Sequence, residues 1–189
     1  MIIIIEGIDK AGKSTIVQDL LTQRMKHGED PIVFKLSQKP KDKSVKEQEK
    51  IKIIYTELFE QANRLNNTRL VIFDRAYPSE MVYSQLRGYD AMQDEFWINF
   101  DKTLGSKSVN EQNVFLIYCM APYEKLLERF ESEKEEFLKK EEIAEILTRY
   151  DIFLGKTYVP YIKVDTTKDR LININTVKEL IEKYEHHRS

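Results

Sequence analysis

A disulfide framework is excluded from the start, because the 189 residues contain one cysteine, Cys119, set in an apolar run that begins at Val114. Nothing asks for an oxidising compartment, and a cytoplasmic setting is expected. Histidine is almost as scarce. His27, His186 and His187 lack metal-ligand spacing to a cysteine or carboxylate, so no protein-built metal centre is expected. No apolar stretch reaches the roughly 20 residues of a membrane span. The opening Met1-Ile2-Ile3-Ile4-Ile5 has no basic flank of the kind that marks a targeting segment, so no membrane partner is expected. An excess of one charge is also missing: 30 basic and 32 acidic residues leave −2, which gives no global drive toward nucleic acid. The local exception is Lys35, Lys39, Lys41, Lys43, Lys46, Lys50 and Lys52, read as solvated surface, with a DNA backbone as the minority alternative. Repeats, low-complexity linkers and breaks in composition are absent. With 41% hydrophobic residues the length suits one buried core, so a single domain over 1–189 is expected.

What the chain does contain is alternation. Short β-branched runs recur at Ile2 to Ile5, Pro31 to Leu36, Leu70 to Phe73, Val114 to Cys119 and Tyr161 to Val164. Helical patterns separate most of them, over 14–26, 45–65, 78–86, 90–104 and 124–130, and one more closes the chain over 177–184. Such alternation predicts a three-layer α/β architecture, a mostly parallel five-stranded sheet with helices on both faces. Residues 128–145, dense in Glu and Lys with few side chains to bury, are expected to form a short, lightly packed lid. Trp97, with Phe96 and Phe100, reads as core of its helix rather than as a stacking platform.

Between the first strand and first helix stands Gly7-Ile8-Asp9-Lys10-Ala11-Gly12-Lys13-Ser14-Thr15, a Gly-x-x-x-x-Gly-Lys-Ser phosphate loop in its required context. Its glycines let successive backbone N–H groups, and the N-terminus of the next helix, face negative charge. Gly7, Ala11, Gly12, Lys13, Ser14 and Thr15 are the expected nucleotide-binding residues. Lys13 should reach the β- and γ-phosphates and Ser14 should ligate Mg²⁺, so ATP and Mg²⁺ are the expected cofactors.

The string from Glu6 to Thr15 resembles the thymidylate kinase family, whose first strand runs into Glu-Gly-(Ile/Val)-Asp-x-Ala-Gly-Lys-Ser-Thr. Asp74-Arg75-Ala76-Tyr77-Pro78-Ser79-Glu80-Met81-Val82-Tyr83 resembles that family's Asp-Arg-(Tyr/Phe)-x-x-Ser-x-x-Ala-Tyr, at an agreeing distance. Pro122 to Arg129 is similar to the turn and helix that lead into its lid. The resemblance implies a P-loop kinase fold, a homodimer, and ATP-dependent phosphoryl transfer to a deoxynucleoside monophosphate, dTMP or a related pyrimidine. It implies Asp9 at the acceptor's sugar hydroxyl, and Arg75 at its phosphate or at the transferring group. Asp74 would sit near Mg²⁺ or the acceptor oxygen, with Ser79 and Tyr83 in the acceptor pocket. Arg64, in Glu60-Gln61-Ala62-Asn63-Arg64, roughly matches a further phosphate-binding arginine. Kinases of this family place a transition-state cation in the loop or the lid; Lys10 is the first candidate here and Arg129 the second.

One segment departs from the family pattern. After the second strand the family commonly carries Thr-Arg-Glu-Pro, whereas this chain has Ser37-Gln38-Lys39-Pro40. Neutral Gln38 cannot clamp a phosphate bidentately, so Lys39, Arg64 or Arg87 replaces it or the acceptor differs. A hydroxyl acceptor is the alternative: a hydroxymethylated pyrimidine in DNA, or a deoxynucleoside. For a deoxynucleoside, Lys39 stands where a glutamate base is usual, unless Asp74 serves as base. A nucleotide-binding switch is the non-enzyme alternative. The GTPase signal Asn-Lys-x-Asp and an apolar run ending in Asp-Glu are both missing, and the strand ending in Asp74-Arg75 favours a kinase.

Overall fold

Four successive isoleucines can be buried together only in a strand covered on both faces, because side chains alternate across a sheet. In the computed structural model, which describes residues 1–35, 44–111, 114–132 and 138–186, Ile2 to Ile5 are all fully buried. They lie in β1 (Ile2–Glu6), at the centre of a five-stranded sheet with β2 (Ile32–Lys35), β3 (Val71–Asp74), β4 (Val114–Met120) and β5 (Tyr161–Asp165). The order is β2-β3-β1-β4-β5 and every pairing is parallel. Exposure follows that order: β1 and β3 are buried throughout and β4 nearly so, while the edge strands β2 and β5 are partly open.

Parallel strands need crossovers, and right-handed ones send leftward and rightward connections to opposite faces. The connection from β1 to β2 is α1 (Lys13–Lys26), and on its face packs α7 (Arg170–His186), where Arg170 Nε donates to Asp19 at 2.8 Å. The opposite face carries α2 (Val45–Leu65), α3 (Tyr77–Tyr83), α4 (Glu95–Glu111) and α6 (Ile143–Lys156). Aromatic rings join these helices. Phe59 of α2 stacks on Phe73 of β3 at 4.5 Å and meets Phe100 of α4 edge-on at 5.3 Å. Tyr77 of α3 contacts both Phe100 and Phe153 of α6. Trp97 is 1% exposed, so it is core as expected.

All five strands lie where the alternation predicts them, although Leu36 falls outside the described residues. α2 matches 45–65, capped by Ser44, whose Oγ accepts from Glu47 N. α3 is shorter than predicted and continues as a 3₁₀ turn, Ser84–Arg87. α4 starts late, after a separate turn over Ala91–Gln93 capped by Asp90. α5 (Tyr123–Ser132) follows β4, and α7 begins seven residues earlier than its pattern suggests. α6 is the element that the sequence prediction omits. It buries Ile143, Ile146, Tyr150, Phe153 and Leu154, and its Arg149 donates to the carbonyls of Val82 and Met81 and to Asp90. In the segment expected to be a lid, residues 133–137 lie outside the described residues, while Leu138 and Ile143 are buried.

Gly105, inside α4, faces the chain after α6. A Cβ there would lie 2.4 Å from Tyr158 Cβ and 2.5 Å from its carbonyl carbon, whereas a Cβ at Gly155 of α6 meets nothing within 4 Å. Helix propensity alone favours alanine over glycine by roughly 0.5–1 kcal/mol. Gly155→Ala is therefore expected to leave stability unchanged or raised. Gly105→Ala is expected to lower it by about 1–3 kcal/mol despite the same propensity gain, with urea midpoints of the two variants as the comparison.

Candidate functional site

β1 pairs directly with β3, Ile5 lying opposite Asp74, so the chain leaves both strands at the same place. Arg75 N donates to Ile5 O at 3.0 Å, which sets Arg75 beside the start of the phosphate loop. Carboxyl ends of parallel strands, where connections diverge to opposite faces, form the usual ligand crevice of an open α/β sheet.

The loop is shaped by positive φ at Gly7 (145°), Lys10 (62°) and Gly12 (82°). Gly7 is obligatory, since a Cβ would lie 2.3 Å from Cys119 O on β4. Ala11 N donates to Ile8 O at 3.1 Å, closing the turn. α1 then starts with Gly12 at its N-cap, with no side-chain cap and no acidic residue in its first turn. A helix end left in this state, preceded by left-handed residues, suits an anion. Ser14 and Thr15 are exposed at that end. Among the described residues no group of three or more His, Cys, Asp or Glu could hold a metal. A hard cation here would use the Ser14 hydroxyl and the Asp74 carboxylate and take its other ligands from phosphate and water, which fits Mg²⁺ chemistry.

Lys13 is 7% exposed and its Nζ donates to Ile8 O at 2.8 Å. Burial first, and the nearby Arg75 guanidinium second, pull its pKa down from 10.5 to about 8, while Asp9 and Glu6 oppose the shift. Glu6, fully buried at the end of β1, is the organising acceptor. Its Oε1 accepts from Ala76 N (2.7 Å) and Ser79 N (3.2 Å), and its Oε2 accepts from Ser79 Oγ (2.7 Å) and Tyr150 OH (2.9 Å).

Arg75 is left-handed, with φ 69°. It pairs with Asp9 inside the phosphate loop, donates to Ser79 Oγ at 3.0 Å, and lies 5.4 Å over the Tyr83 ring. Asp74 does not pair with its neighbour Arg75; its partner is Lys35 of β2 at 3.3 Å. The structure therefore gathers Asp9, Lys13, Arg75, Ser79 and Tyr83, with Asp74 at the adjacent strand end. Arg129 of α5 comes to the loop from outside: its Nη1 donates to Lys10 O at 2.8 Å.

Arg64 is a correction. It lies in the last turn of α2, a 21-residue helix about 30 Å long. Two residues on, Asn66 O accepts from the Met1 amino group, at the opposite end of β1 from the loop. The Arg64 side chain is 79% exposed and faces Glu60, 3.9 Å away. The motif-like string around it carries the right letters at a helix position too late to reach the site. Gln38 and Lys39 lie outside the described residues. Arg87 is ion-paired with buried Glu80 at 2.5 Å. Sequence reasoning missed Glu6 and Tyr150 as site-building residues. Glu6 stands in the first motif, but Tyr150 carries no local signal, because only the packing of α6 brings it in.

A parallel β2-β3-β1-β4-β5 sheet with this loop and strand end defines the P-loop nucleotide-kinase fold. A family model described as an AAA domain matches residues 2–168, and the chain belongs to that family. Among solved structures, it resembles the YorR protein of Bacillus subtilis, solved with phosphorylated GDP, at 23% identity and TM-score 0.69, covering 99% of this chain and 98% of that one. It also resembles deoxyadenosine kinase from M. mycoides (18%, TM-score 0.62, covering 97% and 100%). Thymidylate kinase from Candida albicans follows at 16% and TM-score 0.59, covering 98% and 92%. At these identities the likeness is one of fold. No curated protein matches the sequence, and no helix among the described residues is long and apolar enough to cross a membrane.

The lowered Lys13 pKa has two consequences of definite sign. In the ligand-free fold the protonated amine is disfavoured. Its contribution to stability therefore rises with pH from about 8 toward 10.5, where the unfolded chain still holds the proton. A bound phosphate reverses the preference, so nucleotide binding above pH 8 must take up a proton. ADP affinity is expected to be about tenfold weaker at pH 9 than at pH 7. Lys13→Met is expected to abolish that dependence while stabilising the ligand-free protein. Calorimetric titration with ADP across pH 7 to 9.5 checks the first and urea midpoints of the ligand-free proteins the second; a flat affinity profile for the wild type would refute the assignment.

Proposed function

We propose that this protein transfers the γ-phosphoryl group of ATP to the phosphate of a deoxynucleoside monophosphate, dTMP or a related pyrimidine, with Mg²⁺ at Ser14 and Asp74. The observation that carries the reading is the Asp9–Arg75 pair. It joins the phosphate loop to the neighbouring strand end and holds a second, half-buried cation near Lys13, close enough to lower that lysine's pKa. Two cations turned toward one crevice repel each other until a polyanion lies between them. A donor triphosphate on Lys13 and an acceptor phosphate on Arg75 supply that anion.

In this reading Mg²⁺ would neutralise charge on the β- and γ-phosphates. The chain's own residues do the positioning. Lys13 holds the donor end, Arg75 orients the acceptor phosphate, and the Asp9 carboxylate is available to a sugar hydroxyl once Arg75 is drawn toward phosphate. Lys10, at the apex of the loop, supplies the cation that follows the migrating group. Asp74 is followed by a cation rather than by a second carboxylate, so the strand end offers no extra base to activate water, which favours transfer over hydrolysis.

The deciding test supplies ATP and Mg²⁺ with each deoxynucleoside monophosphate, thymidine, or DNA containing hydroxymethyluracil, and follows which acceptor gains phosphate. Transfer to dTMP or another pyrimidine monophosphate is expected. Transfer only to thymidine or DNA would overturn the acceptor assignment, and ATP hydrolysis indifferent to every acceptor would favour a nucleotide switch. Lys10→Ala is expected to lower kcat by about 10²–10³ with little change in ATP affinity; equal losses in both would remove Lys10 from this role.

A further inference from the structure

Lys10 occupies a left-handed conformation with a side chain larger than glycine or asparagine, and nothing in the Gly7–Gly12 sequence alone fixes the peptide that follows it. The Lys10–Ala11 peptide is held at both ends. On the inside, Ala11 N–H donates to Ile8 O at 3.1 Å. On the outside, Lys10 O accepts from Arg129 Nη1 at 2.8 Å. The same Nη1 lies 3.4 Å from Thr166 Oγ1, in the turn after β5. Thr166 is itself fixed to the end of β4, its N and Oγ1 both donating to Met120 O, at 2.9 and 3.1 Å. It also abuts the second loop glycine: a Cβ on Gly12 would lie 3.0 Å from Thr166 Cβ.

We infer that Arg129 is a positioning residue for the phosphate loop, locking the Lys10–Ala11 peptide plane from α5 while Thr166 seats Gly12. A peptide C=O and N–H point in opposite directions, so holding Lys10 O outward keeps the Ala11 N–H inward. Released, this peptide could rotate and spoil the row of N–H groups that faces phosphate. Arg129 thus acts through a backbone carbonyl, and its charge is secondary to its hydrogen bond. The inference rests on the loop's being a nucleotide site, but its structural half is testable without nucleotide.

The test compares Arg129→Ala with Arg129→citrulline, which keeps an N–H donor of the same reach and loses the charge. Amide hydrogen exchange over residues 7–14 is measured in the ligand-free protein, and equilibrium binding is measured for ADP and for ATP. Arg129→Ala is expected to accelerate loop exchange and to weaken ADP and ATP by the same factor, about tenfold, because the loop cradles the phosphates that both share. Arg129→citrulline is expected to restore most of both. Unchanged loop exchange, a loss confined to ATP, or a citrulline variant as impaired as alanine would overturn the inference in favour of direct charge on the γ-phosphate. Failure of the wild type to bind either nucleotide would instead overturn the nucleotide reading, with the exchange result still deciding what Arg129 does to the loop.

Discussion

The site depends on one buried carboxylate. Glu6 ends the central strand with no exposure, and a polar group so placed is tolerable only if its hydrogen-bonding capacity is filled. It is filled by donors from three separate parts of the chain: the start of α3 through Ala76 N, Ser79 N and Ser79 Oγ, the far-off α6 through Tyr150 OH, and its own neighbour Gly7 N at 3.4 Å. Each bond fixes something the site needs. Ser79, held by Glu6, is the acceptor for Arg75; Arg75 in turn holds Asp9; and Asp9 lies within the phosphate loop. The chain of contacts runs from fully buried Glu6 through half-buried Ser79 and Arg75 to half-buried Asp9 in the loop.

The adjacency of β1 and β3 makes this network short. With neighbouring parallel strands roughly 4.8 Å apart, residues just past their carboxyl ends share one crevice, however distant in sequence; Asp9 and Arg75 are 66 residues apart. Had another strand separated β1 from β3, Arg75 could not pair with a loop residue. The fold-level likeness to nucleotide kinases and the local geometry are therefore two views of a single constraint, strand order.

That constraint also explains what was legible in the sequence. The strands could be read because a run such as Ile2 to Ile5 has only one way to be buried, and α2 because Ser44 caps a long periodic stretch. The loop could be read because its glycines answer to backbone geometry that no other residue satisfies as cheaply. α6 escaped, although Ile143, Ile146, Tyr150 and Phe153 keep helical spacing, because the neighbouring run of Glu and Lys drew its start into an expected lid. Tyr150 could not be assigned to the site from sequence at all, as its role exists only once α6 packs against α3. Arg64 failed for the converse reason. Its letters matched a motif, but a helix rising 1.5 Å per residue carries a side chain to the wrong end of the sheet when the match is displaced by a few turns.

Backbone strain gives an independent line of argument about where function lies. Among the described residues the only non-glycine residues with positive φ are Lys10 and Arg75. Each such residue costs on the order of 1–3 kcal/mol. Glycine, used at Gly7, Gly12, Gly28 and Gly88, would have removed the cost. At Lys10 and Arg75 the chain keeps a cationic side chain instead. Both strained residues are held by hydrogen bonds from outside their own segment, Lys10 through Arg129 and Arg75 through Asp9 and Ser79. Strain retained at two cations, one inside the phosphate loop and one beside it, is not a requirement of backbone geometry, which glycine would meet at either place without that cost. It is explained if what those positions must provide is positive charge, delivered in fixed directions to the space above Lys13.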